Sequence, residues 1–503
     1  MANSTRNDSS CNLGIDLGTS SVKAVLAAHD GSVIRAATAP CTVDRPHPGW
    51  AEADPRHWWE AVVHAVSSLD LPGVHVAGIG ISVFYPALVL FDRAMNPLRP
   101  AILYCDQRAA DESRGLLERC GGEQAARALT GNAFPAGTAS ITSLLWIRSR
   151  EPQIFSQAQC IGHANTYLVE RLTGERVIDF SNASLSGFYD AALNRWSCQL
   201  CEIAGLAPSA LPRLMPGCAM AGRLSGDAAR QLGLQAGLPV AAGAGDTVCA
   251  TLGIGAADDR ELFLSCGSTN NFVRLSSAAC FDNGLVNTSH LQHGTWLNVG
   301  TTNSSGAAIQ WFVDNYLGPG NYGRFFELCA GSPAGAGGVV FLPYLAGERT
   351  PHYDPLAKAA FFGITGSTTL AHTARSVAEG VCFADRQILE TFERSGSRVE
   401  RIIAAGGGTR GEVLRRIRTD VIGREIAFSG ISDASALGAA LLGGIAGGCY
   451  ADWREAAAVA RRAANAVVLK PDSRARDAYD GSYRVYKELY PRVKDLFRPC
   501  SAR

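Results

Sequence analysis

The hydrophobic pattern near the N-terminus predicts strands and a tight corner. Residues 12–17, NLGIDL, form an apolar run, and VKAVLA and VIRAATA follow it with the turn sequence HDGS between them. Strand-like runs joined by Asp-Gly are typical of a β-hairpin. Asp16 interrupts the first run, and a buried carboxylate without a partner costs several kcal/mol. Asp16 therefore needs a ligand or a function.

An amphipathic helix is predicted directly after residue 54. Asp54 suits the N-cap and Pro55 the first helical position, and apolar residues recur at helical spacing at positions 59, 62, 63, 66 and 69. The segments VHVAGIGIS and ALVLFD then return to strand character. A β-β-α-β order of this kind predicts an α/β fold with a sheet of mixed direction.

A second apolar strand that runs into a short turn of Gly, Ser and Thr, here called a corner, indicates an internal repeat. The strand ELFLSC runs into CGST at 266–269, which mirrors LGTS at 17–20. Between the two corners, GAGDT places Asp246 at a glycine-lined strand end. Further along, the strand RIIAA, the loop GGGTRG and the helix EVLRRIRTDVIG follow one another in an order typical of a nucleotide site.

Composition narrows the class of partner. At 503 residues the chain is expected to form two or more domains. Lys plus Arg equals Asp plus Glu at 46 each, so no overall field attracts nucleic acid or an anionic membrane, and a small molecule is the expected partner. The 15 cysteines do not suggest a disulfide framework, and no signal peptide or membrane span is evident. We therefore expect a soluble, cytoplasmic protein.

Two carboxylates and two corners suggest phosphate chemistry. No Lys directly follows a Gly, so a Walker A loop is absent. Two glycine-hydroxyl corners facing each other across a cleft could instead bind the phosphates of one nucleotide. Asp16 is then a candidate ligand of Mg²⁺, and Asp246 a candidate acceptor of the proton from a substrate hydroxyl.

Other motifs leave alternatives open. Residues 406–411 match G-x-G-x-x-G with Glu425 downstream, which fits a dinucleotide site or simply a tight strand-to-helix connection. The lone CQLC at 198–201 lacks a second pair at zinc spacing, and we assign no metal to it.

Six motifs, in order, resemble those of the FGGY family of carbohydrate kinases, which belongs to the actin-like ATPase superfamily. GIDLGTSSVKAVL, PHPGWAEADPRHWWEA, GAGDT and LSCGSTN resemble its phosphate, Trp-rich, catalytic and second phosphate motifs. AAGGGTRGEVLRRIRTDVIGREI with DASALGAALLGG resembles its adenosine region, and FLPYLAGERTPHYDPLAKAAFFGIT is most similar to the xylulose kinase branch. The likeness extends over nearly the whole chain.

The resemblance implies an α/β fold of two ribonuclease-H-like domains, each with a mixed β-sheet flanked by helices, and a cleft between them. Residues 11–255 would mainly bind sugar, and residues 256–495 would mainly bind ATP. By position, Asp246 would be the general base and Asp16 the magnesium-associated carboxylate. The implied contacts to ATP are Thr19, Ser20, Lys23, Ser268, Thr269, Gly306, Gln310, Gly406, Gly407 and Gly408.

The sugar side departs from the xylulose kinase pattern. Phe84-Tyr85-Pro86-Ala87 replaces Gln-Met-His-Gly, and Asp246-Thr247 replaces Asp-Asn. Thr247 and Tyr85 are substrate candidates, although Tyr85 could equally fill the core. Asp106 and Arg108 could bind sugar hydroxyls or form an ion-paired helix start.

The resemblance implies ATP-dependent phosphorylation of D-xylulose to D-xylulose 5-phosphate, with Mg²⁺. Ribulose, gluconate, glycerol, erythritol or another polyol is the alternative substrate. A function of a different class is an actin-like or chaperone-like ATPase that acts on a protein partner. The resemblance also allows a homodimer.

Overall fold

The structure is a computed structural model that describes residues 10–280 and 284–498. The strands before residue 250 are β1 Ser10–Leu17, β2 Ser21–Ala28, β3 Val33–Pro40, β4 Glu52–Ala53, β5 His75–Val83, β6 Ala87–Phe91, β7 Ala101–Leu103, β8 Cys160–Gly162, β9 Val177–Asp179, β10 Tyr189–Asp190, β11 Arg195–Trp196, β12 Arg213–Met215, β13 Met220–Arg223, β14 Pro239–Ala241 and β15 Ala244–Gly245. The later strands are β16 Glu261–Cys266, β17 Asn270–Ser276, β18 Val286–Ser289, β19 Trp296–Thr301, β20 Val340–Leu342, β21 Ala360–Phe362, β22 Arg401–Ala405, β23 Ile426–Phe428 and β24 Val467–Leu469.

Helices alternate with these strands along the chain. In the first half they are α1 Pro55–Ser67, α2 Ala110–Arg119, α3 Glu123–Thr130, α4 Ser140–Arg150, α5 Pro152–Gln157, α6 Ala164–Thr173, α7 Phe180–Ser184, α8 Cys198–Ala204, α9 Gly226–Leu232 and α10 Asp246–Gly253. In the second half they are α11 Gly306–Phe312, α12 Tyr322–Ala330, α13 Leu370–Arg394, α14 Glu412–Ile422, α15 Ala434–Ala446, α16 Trp453–Ala463 and α17 Arg476–Val493.

Two seven-stranded mixed sheets share one central arrangement. The first has the order β13-β14-β5-β1-β2-β3, with β15 also pairing with β5, and the second has the order β18-β19-β17-β16-β22-β23-β24. In the first sheet β1 is antiparallel to β2 and parallel to β5, and in the second sheet β16 is antiparallel to β17 and parallel to β22. This topology confirms the internal repeat and the mixed α/β fold predicted from the sequence.

Smaller sheets complete the strand pairing. β4, β7, β6 and β8 form a four-stranded antiparallel sheet, while β9 with β12, β10 with β11 and β20 with β21 form two-stranded sheets. β6, the predicted strand ALVLFD, therefore lies outside the large sheet that contains β5. The local pattern predicted the strand correctly but did not indicate its sheet.

The two faces of β1 differ because strand side chains alternate. Leu13, Ile15 and Leu17 lie in the core that also contains Trp58 and Val62 of α1. Asp54 caps that helix by accepting the N–H of Arg56, as the sequence predicted. The opposite face of β1 carries Asn12, Gly14 and Asp16, and it faces α15 at Gly14. Asp16 thus belongs to the face that is turned away from α1.

Helices α10 and α15 form a layer between the two large sheets. A single buried cluster joins Val25 of β2, Val248 of α10 and Leu437 of α15 to Phe263 of β16 and Ile403 of β22. Helix α15, which comes from the C-terminal part of the chain, also packs directly on β1 and β5. The core of the molecule therefore depends on an element from each half.

Glycines allow these backbones to touch. A methyl group added at Gly80 of β5 would overlap the carbonyl oxygen of Ala439, and one at Gly438 would overlap the carbonyl oxygen of Cys249 in α10. Further glycines where an added methyl would meet the backbone of α15 in the same way are Gly14, Gly78 and Gly253. Any other residue at these positions would force the helix away from the sheet or from its partner helix.

The cysteines among the described residues are all free. None of the helices in the described ranges combines the length and apolar character that are needed to cross a membrane.

We expect Gly438→Ala to lower the free energy of unfolding by about 1–3 kcal/mol or to prevent folding, because the added methyl overpacks the contact between α10 and α15. Gly481→Ala is the matched control, since Gly481 also lies within a helix but has no neighbouring atom near its added methyl. That control should gain up to about 1 kcal/mol from helix propensity. Urea unfolding midpoints measure both effects, and an unchanged midpoint for Gly438→Ala would contradict the packing argument.

Candidate active site

Three parallel strands bring the two predicted carboxylates to one edge of the first sheet. β1 and β15 both pair in parallel with β5, so that Asp16 lies opposite Ser82 and Gly245 lies opposite Val83. Asp246 follows Gly245 and begins α10. The carboxyl ends of parallel strands commonly carry functional groups. The structure thus places Asp16 and Asp246 together, as the sequence indicated.

The Asp16 carboxyl lies near one cation, Lys23, and two further carboxylates, those of Asp246 and Asp433. Its Oδ1 atom is buried and receives no hydrogen bond from the residues in the described ranges. Burial raises the pKa of Asp16 to about 7, and the negative charges of Asp246 and Asp433 add to this effect. A buried oxygen that lacks a partner, in a site with surplus negative charge, fits a hard cation.

The remaining ligands of such a cation would not come from a protein cage. Within the described residues, no group of three or more His, Cys, Asp and Glu side chains is arranged to hold a metal. Mg²⁺ usually keeps several waters and binds through one or two carboxylates together with substrate phosphates. Asp16 therefore fits a magnesium ion that arrives with a nucleotide.

Asp246 is a half-buried carboxylate at the first position of α10. Its Oδ1 atom accepts the backbone N–H of Thr247 at 2.6 Å and the Thr247 hydroxyl at 3.2 Å. Burial raises the pKa of Asp246 to about 6, while both bonds from Thr247 oppose the rise. The group is therefore ionised at neutral pH and able to accept a proton. Thr247, a predicted substrate contact, lies directly beside it.

In both predicted phosphate corners the glycine N–H donates to a backbone carbonyl further along the chain, three residues on in the first corner and two in the second. The N–H of Gly18 donates to the carbonyl of Ser21 at 2.9 Å between β1 and β2. The N–H of Gly267 donates to the carbonyl of Thr269 at 3.0 Å between β16 and β17. Ser20 and Ser268 are exposed at their corners, and Thr19 and Thr269 are partly exposed. Each corner thus presents hydroxyls at the same place in its sheet.

Helix α11 begins on the second corner. Gly306 donates its N–H to the carbonyl of Gly267 at 3.0 Å, and Ala307 donates to that of Ser268 at 3.1 Å. A methyl group at Gly306 would press on the backbone of Gly267, which explains the glycine. Gln310 lies one turn later on α11 and is exposed. The structure thus groups these two predicted nucleotide contacts with the corner.

The glycine loop 406–408 also packs on the end of β16. Gly406 has a left-handed backbone with φ of 102°, and a side chain there would collide with the carbonyl of Cys266. Gly408 lies against the Cys266 side chain, and Gly407 is exposed. Because β16 and β22 are parallel neighbours, this loop and the second corner lie at the same sheet edge.

Lys23 has a partner from the other half of the chain. Its ammonium donates to Asp433, the residue at the N-terminal end of α15. Lys23 also lies opposite Asp16 in the pairing of β1 and β2. The sequence predicted Lys23 as a nucleotide contact, and the structure instead gives it a carboxylate partner. Its contact with nucleotide stays a prediction.

Tyr85 packs over the backbone that leads to Asp246. An added methyl at Gly245 would collide with its ring, so the ring lies directly on this glycine. The Tyr85 hydroxyl is 3.5 Å from the Thr288 hydroxyl of β18, and burial raises the pKa of Tyr85 above its ordinary value. Packing is therefore one role of Tyr85. Its place beside Asp246 keeps it a candidate for sugar contact.

Asp106 and Arg108 form a buried ion pair. Arg108 donates to Asp106 through Nε at 2.9 Å and Nη2 at 2.7 Å, and its Nη1 donates to Glu52 at 2.7 Å. The guanidinium also stacks on Trp50, 3.6 Å from the ring centre. Both side chains are only 1% exposed. This geometry favours the ion-pair interpretation over direct hydrogen bonds to a sugar.

Sequence reasoning missed Tyr104 and Arg349. Burial raises the pKa of the Tyr104 phenol, with the charge of Asp246 adding to the rise and that of Arg349 opposing it, which places both charges near this side chain. Arg349 donates from Nε to Asn303 at 2.6 Å, and Glu348 accepts its backbone N–H at 2.7 Å. Arg349 lies in the segment FLPYLAGERTPHYDPLAKAAFFGIT, but the sequence pattern gave this arginine no individual role.

Known proteins match this chain over almost its whole length. The description "FGGY family of carbohydrate kinases, N-terminal domain" matches residues 11–253, and its C-terminal counterpart matches residues 262–447. Xylulose kinase of Klebsiella pneumoniae is 32% identical over 489 residues, which cover 96% of this chain and 99% of that protein. Xylulose kinase of Escherichia coli (strain K12) is 33% identical over 439 residues, or 86% of this chain and 90% of that protein. The crystal structure of xylulose kinase from Rhodospirillum rubrum superposes with a TM-score of 0.90 at 31% identity and covers 97% of this chain and 100% of that one.

Asp16→Asn should raise the unfolding temperature by a few degrees in magnesium-free buffer at pH 8. The folded protein holds the Asp16 proton up to about pH 7, whereas the unfolded chain releases it near pH 3.8, so stability falls as the pH rises between these values and stays lower above them. The gain from Asn should be smaller at pH 5 than at pH 8.

Thermal unfolding at the two pH values measures this effect, and saturating Mg²⁺ with ATP should narrow the difference at pH 8. An equal gain at both pH values would show that Asp16 does not carry a buried charge.

Proposed function

The chain belongs to the FGGY family of carbohydrate kinases, and on this basis we propose that it transfers the γ-phosphoryl group of ATP to a primary hydroxyl of D-xylulose, giving D-xylulose 5-phosphate. The observation that most strongly supports this chemistry is the Asp246 carboxylate, half-buried beside Asp16 at one sheet edge. The relatives named xylulose kinases support the choice of sugar.

Asp246 is the proposed general base. Its carboxylate accepts the proton of the sugar hydroxyl while the hydroxyl oxygen attacks the γ-phosphorus in line, and ADP leaves on the opposite side. A pKa of about 6 keeps Asp246 ionised at neutral pH and close to the working range of a base. Thr247 holds the carboxylate in place through its N–H and its hydroxyl.

Asp16 is the residue that would hold Mg²⁺ through its unpartnered Oδ1 atom. When bound, the ion neutralises charge on the phosphates. The two corners supply hydroxyls and backbone N–H groups for the phosphates, and residues 406–408 leave room for the nucleoside end. The proposed contacts to ATP are Thr19, Ser20, Lys23, Ser268, Thr269, Gly306, Gln310, Gly406, Gly407 and Gly408.

We propose the same division of labour as the sequence predicted. Residues 11–255 mainly bind the sugar, with Tyr85 and Thr247 next to the base, and residues 256–495 mainly bind ATP. Closure of the cleft excludes water, which would otherwise accept the phosphoryl group. In this scheme Asp106 and Arg108 act through their buried ion pair, which stabilises the fold of the sugar-binding half. A homodimer in the cytoplasm stays a prediction.

Asp246→Asn should lower kcat by about 10²–10⁴-fold and leave the Kd of ATP nearly unchanged, because the amide keeps the volume but cannot take up the proton. A coupled ADP-release assay and a nucleotide titration measure the two quantities. Asp190→Asn is the control, since Asp190 is a buried carboxylate that caps a turn at Ala192 and Leu193. Phosphoryl transfer at the wild-type rate in Asp246→Asn would exclude the proposed base.

D-xylulose should stimulate ADP release from MgATP more strongly than L-xylulose, D-ribulose, gluconate, glycerol or erythritol, compared by kcat/KM. The xylulose kinase pattern has Met-His where this chain has Tyr85-Pro86, which makes this comparison necessary. A clear preference for another compound would assign the chain to a different substrate within the family. No stimulation by any of them, with ATP still bound, would contradict sugar phosphorylation.

A further inference from the structure

A short helix holds the backbone that carries Asp246. The N–H of Gly245 donates to the Ser181 hydroxyl oxygen at 2.9 Å, and Gly245 is the residue directly before Asp246. Ser181 belongs to α7, which packs along β15. This hydrogen bond joins the start of α10 to the side chain of Ser181, to which neither the sequence patterns nor the family resemblance gave a role.

The Ser181 hydroxyl can donate only one hydrogen bond, and it donates that bond to Asp179. Ser181 donates its O–H to Oδ1 of Asp179, which also accepts the Ser181 N–H at 2.8 Å. A hydroxyl whose proton is committed can serve further partners only as an acceptor. Its oxygen is thereby reserved for the N–H of Gly245. The carboxylate fixes the direction of this hydrogen bond.

Asp179 is itself fully surrounded by protein. It is 1% exposed, and its second oxygen accepts the side-chain amide of Asn182 at 2.6 Å. The cap on α7 would be complete with the backbone N–H groups of Ser181 and Asn182 alone. The link from Asp179 through the Ser181 hydroxyl to Gly245 is additional to that cap. A purely structural cap does not require it.

The Gly245 peptide is held from a second side as well. The ring of Tyr85 lies against the α-carbon of Gly245, so the peptide is enclosed between an aromatic ring and the Ser181 oxygen. At the other end of α7, the Ser184 hydroxyl is 3.1 Å from the Thr288 hydroxyl of β18. Helix α7 is thus anchored to the second sheet while it fixes the backbone of the first.

We propose that Ser181 and Asp179 are positioning residues for phosphoryl transfer, which hold the Gly245 peptide so that the Asp246 carboxylate meets the acceptor hydroxyl. The proposal rests on the proposed role of Asp246 as general base. Neither residue needs to touch sugar or ATP. Their loss should therefore lower kcat and leave both KM values nearly unchanged, since a displacement of about 1 Å can cost about 10²-fold in rate.

Ser181→Ala should lower kcat by about 10–100-fold at saturating sugar and ATP. Ser186→Ala is a closely matched control: Ser186 is buried in the same segment, donates to the carbonyl of Ala183 at 2.6 Å and accepts the N–H of Phe188 at 3.0 Å. Both variants lose one buried hydroxyl that accepts a backbone N–H, so their unfolding temperatures should fall by similar amounts. Only Ser181→Ala should lose turnover.

Asp179→Asn tests the other member of the pair and serves if Ser181→Ala does not fold. The Asn oxygen can still accept a hydrogen bond from the Ser181 hydroxyl, so kcat should fall less than in Ser181→Ala. Some loss is expected, because the new amide group would face the side-chain amide of Asn182. In the double variant the Asp179 change should cost little further kcat, because Asp179 acts through the Ser181 hydroxyl. Additive losses in this cycle would overturn the proposed chain of contacts.

The outcomes separate this inference from the proposed function. If Ser181→Ala loses no more kcat than Ser186→Ala, or if its loss is confined to KM, the positioning role is wrong while the function of Asp246 is unaffected. If Asp246→Asn keeps wild-type turnover, the proposed base fails, and with it the basis of this inference. A selective kcat loss in Ser181→Ala together with an inactive Asp246→Asn supports both.

Discussion

The packing of the central elements depends on close contacts between backbones, which are possible only where the residue is glycine. Helix α15 approaches β1 and β5 so closely that Gly14 and Gly80 have no room for a side chain, and it meets α10 at Gly438. Helix α10 begins with Asp246, and Asp433 at the start of α15 binds Lys23 beside Asp16. The glycine contacts therefore determine where the charged groups of the candidate site stand relative to one another.

The electrostatics of the site follow from that placement. Asp16 and Asp246 are brought close together and are partly shielded from water, and both have raised pKa values, about 7 and about 6. Such an arrangement is unfavourable in the isolated protein, since each charge is desolvated and repels the other. Under the proposed function, a cation with its phosphates would offset the charge of Asp16, and an acceptor hydroxyl would give its proton to Asp246.

The sequence predicted those parts of the fold and site that depend on local patterns. The hairpin of β2 and β3, the cap at Asp54 and the two corners are set by residues close together in the chain, and the structure confirms them. The repeat indicated that the two corners occupy equivalent places in two sheets, whereas Asp16 and Asp246 meet because β1 and β15 both pair with β5. The expected reaction and the roles of the site residues came from the family resemblance, because the local patterns do not specify them.

Contacts between distant residues could not be predicted in this way. Lys23 and Asp433 are 410 positions apart, and the hydrogen bond from Gly245 to Ser181 spans 64. Arg108 was seen as a sugar contact or a helix-start ion pair, but its partners Glu52 and Trp50 become visible only once the chain is folded. Side-chain partners of this kind depend on packing between elements, which no local periodicity encodes.

The position of α15 has a consequence for how the protein is made. A ribosome releases residues 10–245, which contain every strand of the first sheet, long before it releases residues 434–446, which cover one face of that sheet. Until then, the glycine-bearing surface of β1 and β5 and the apolar side chains of Val25 and Ala27 lack their partner helix. The face of the first sheet that α15 covers can therefore be completed only after most of the second half has been made.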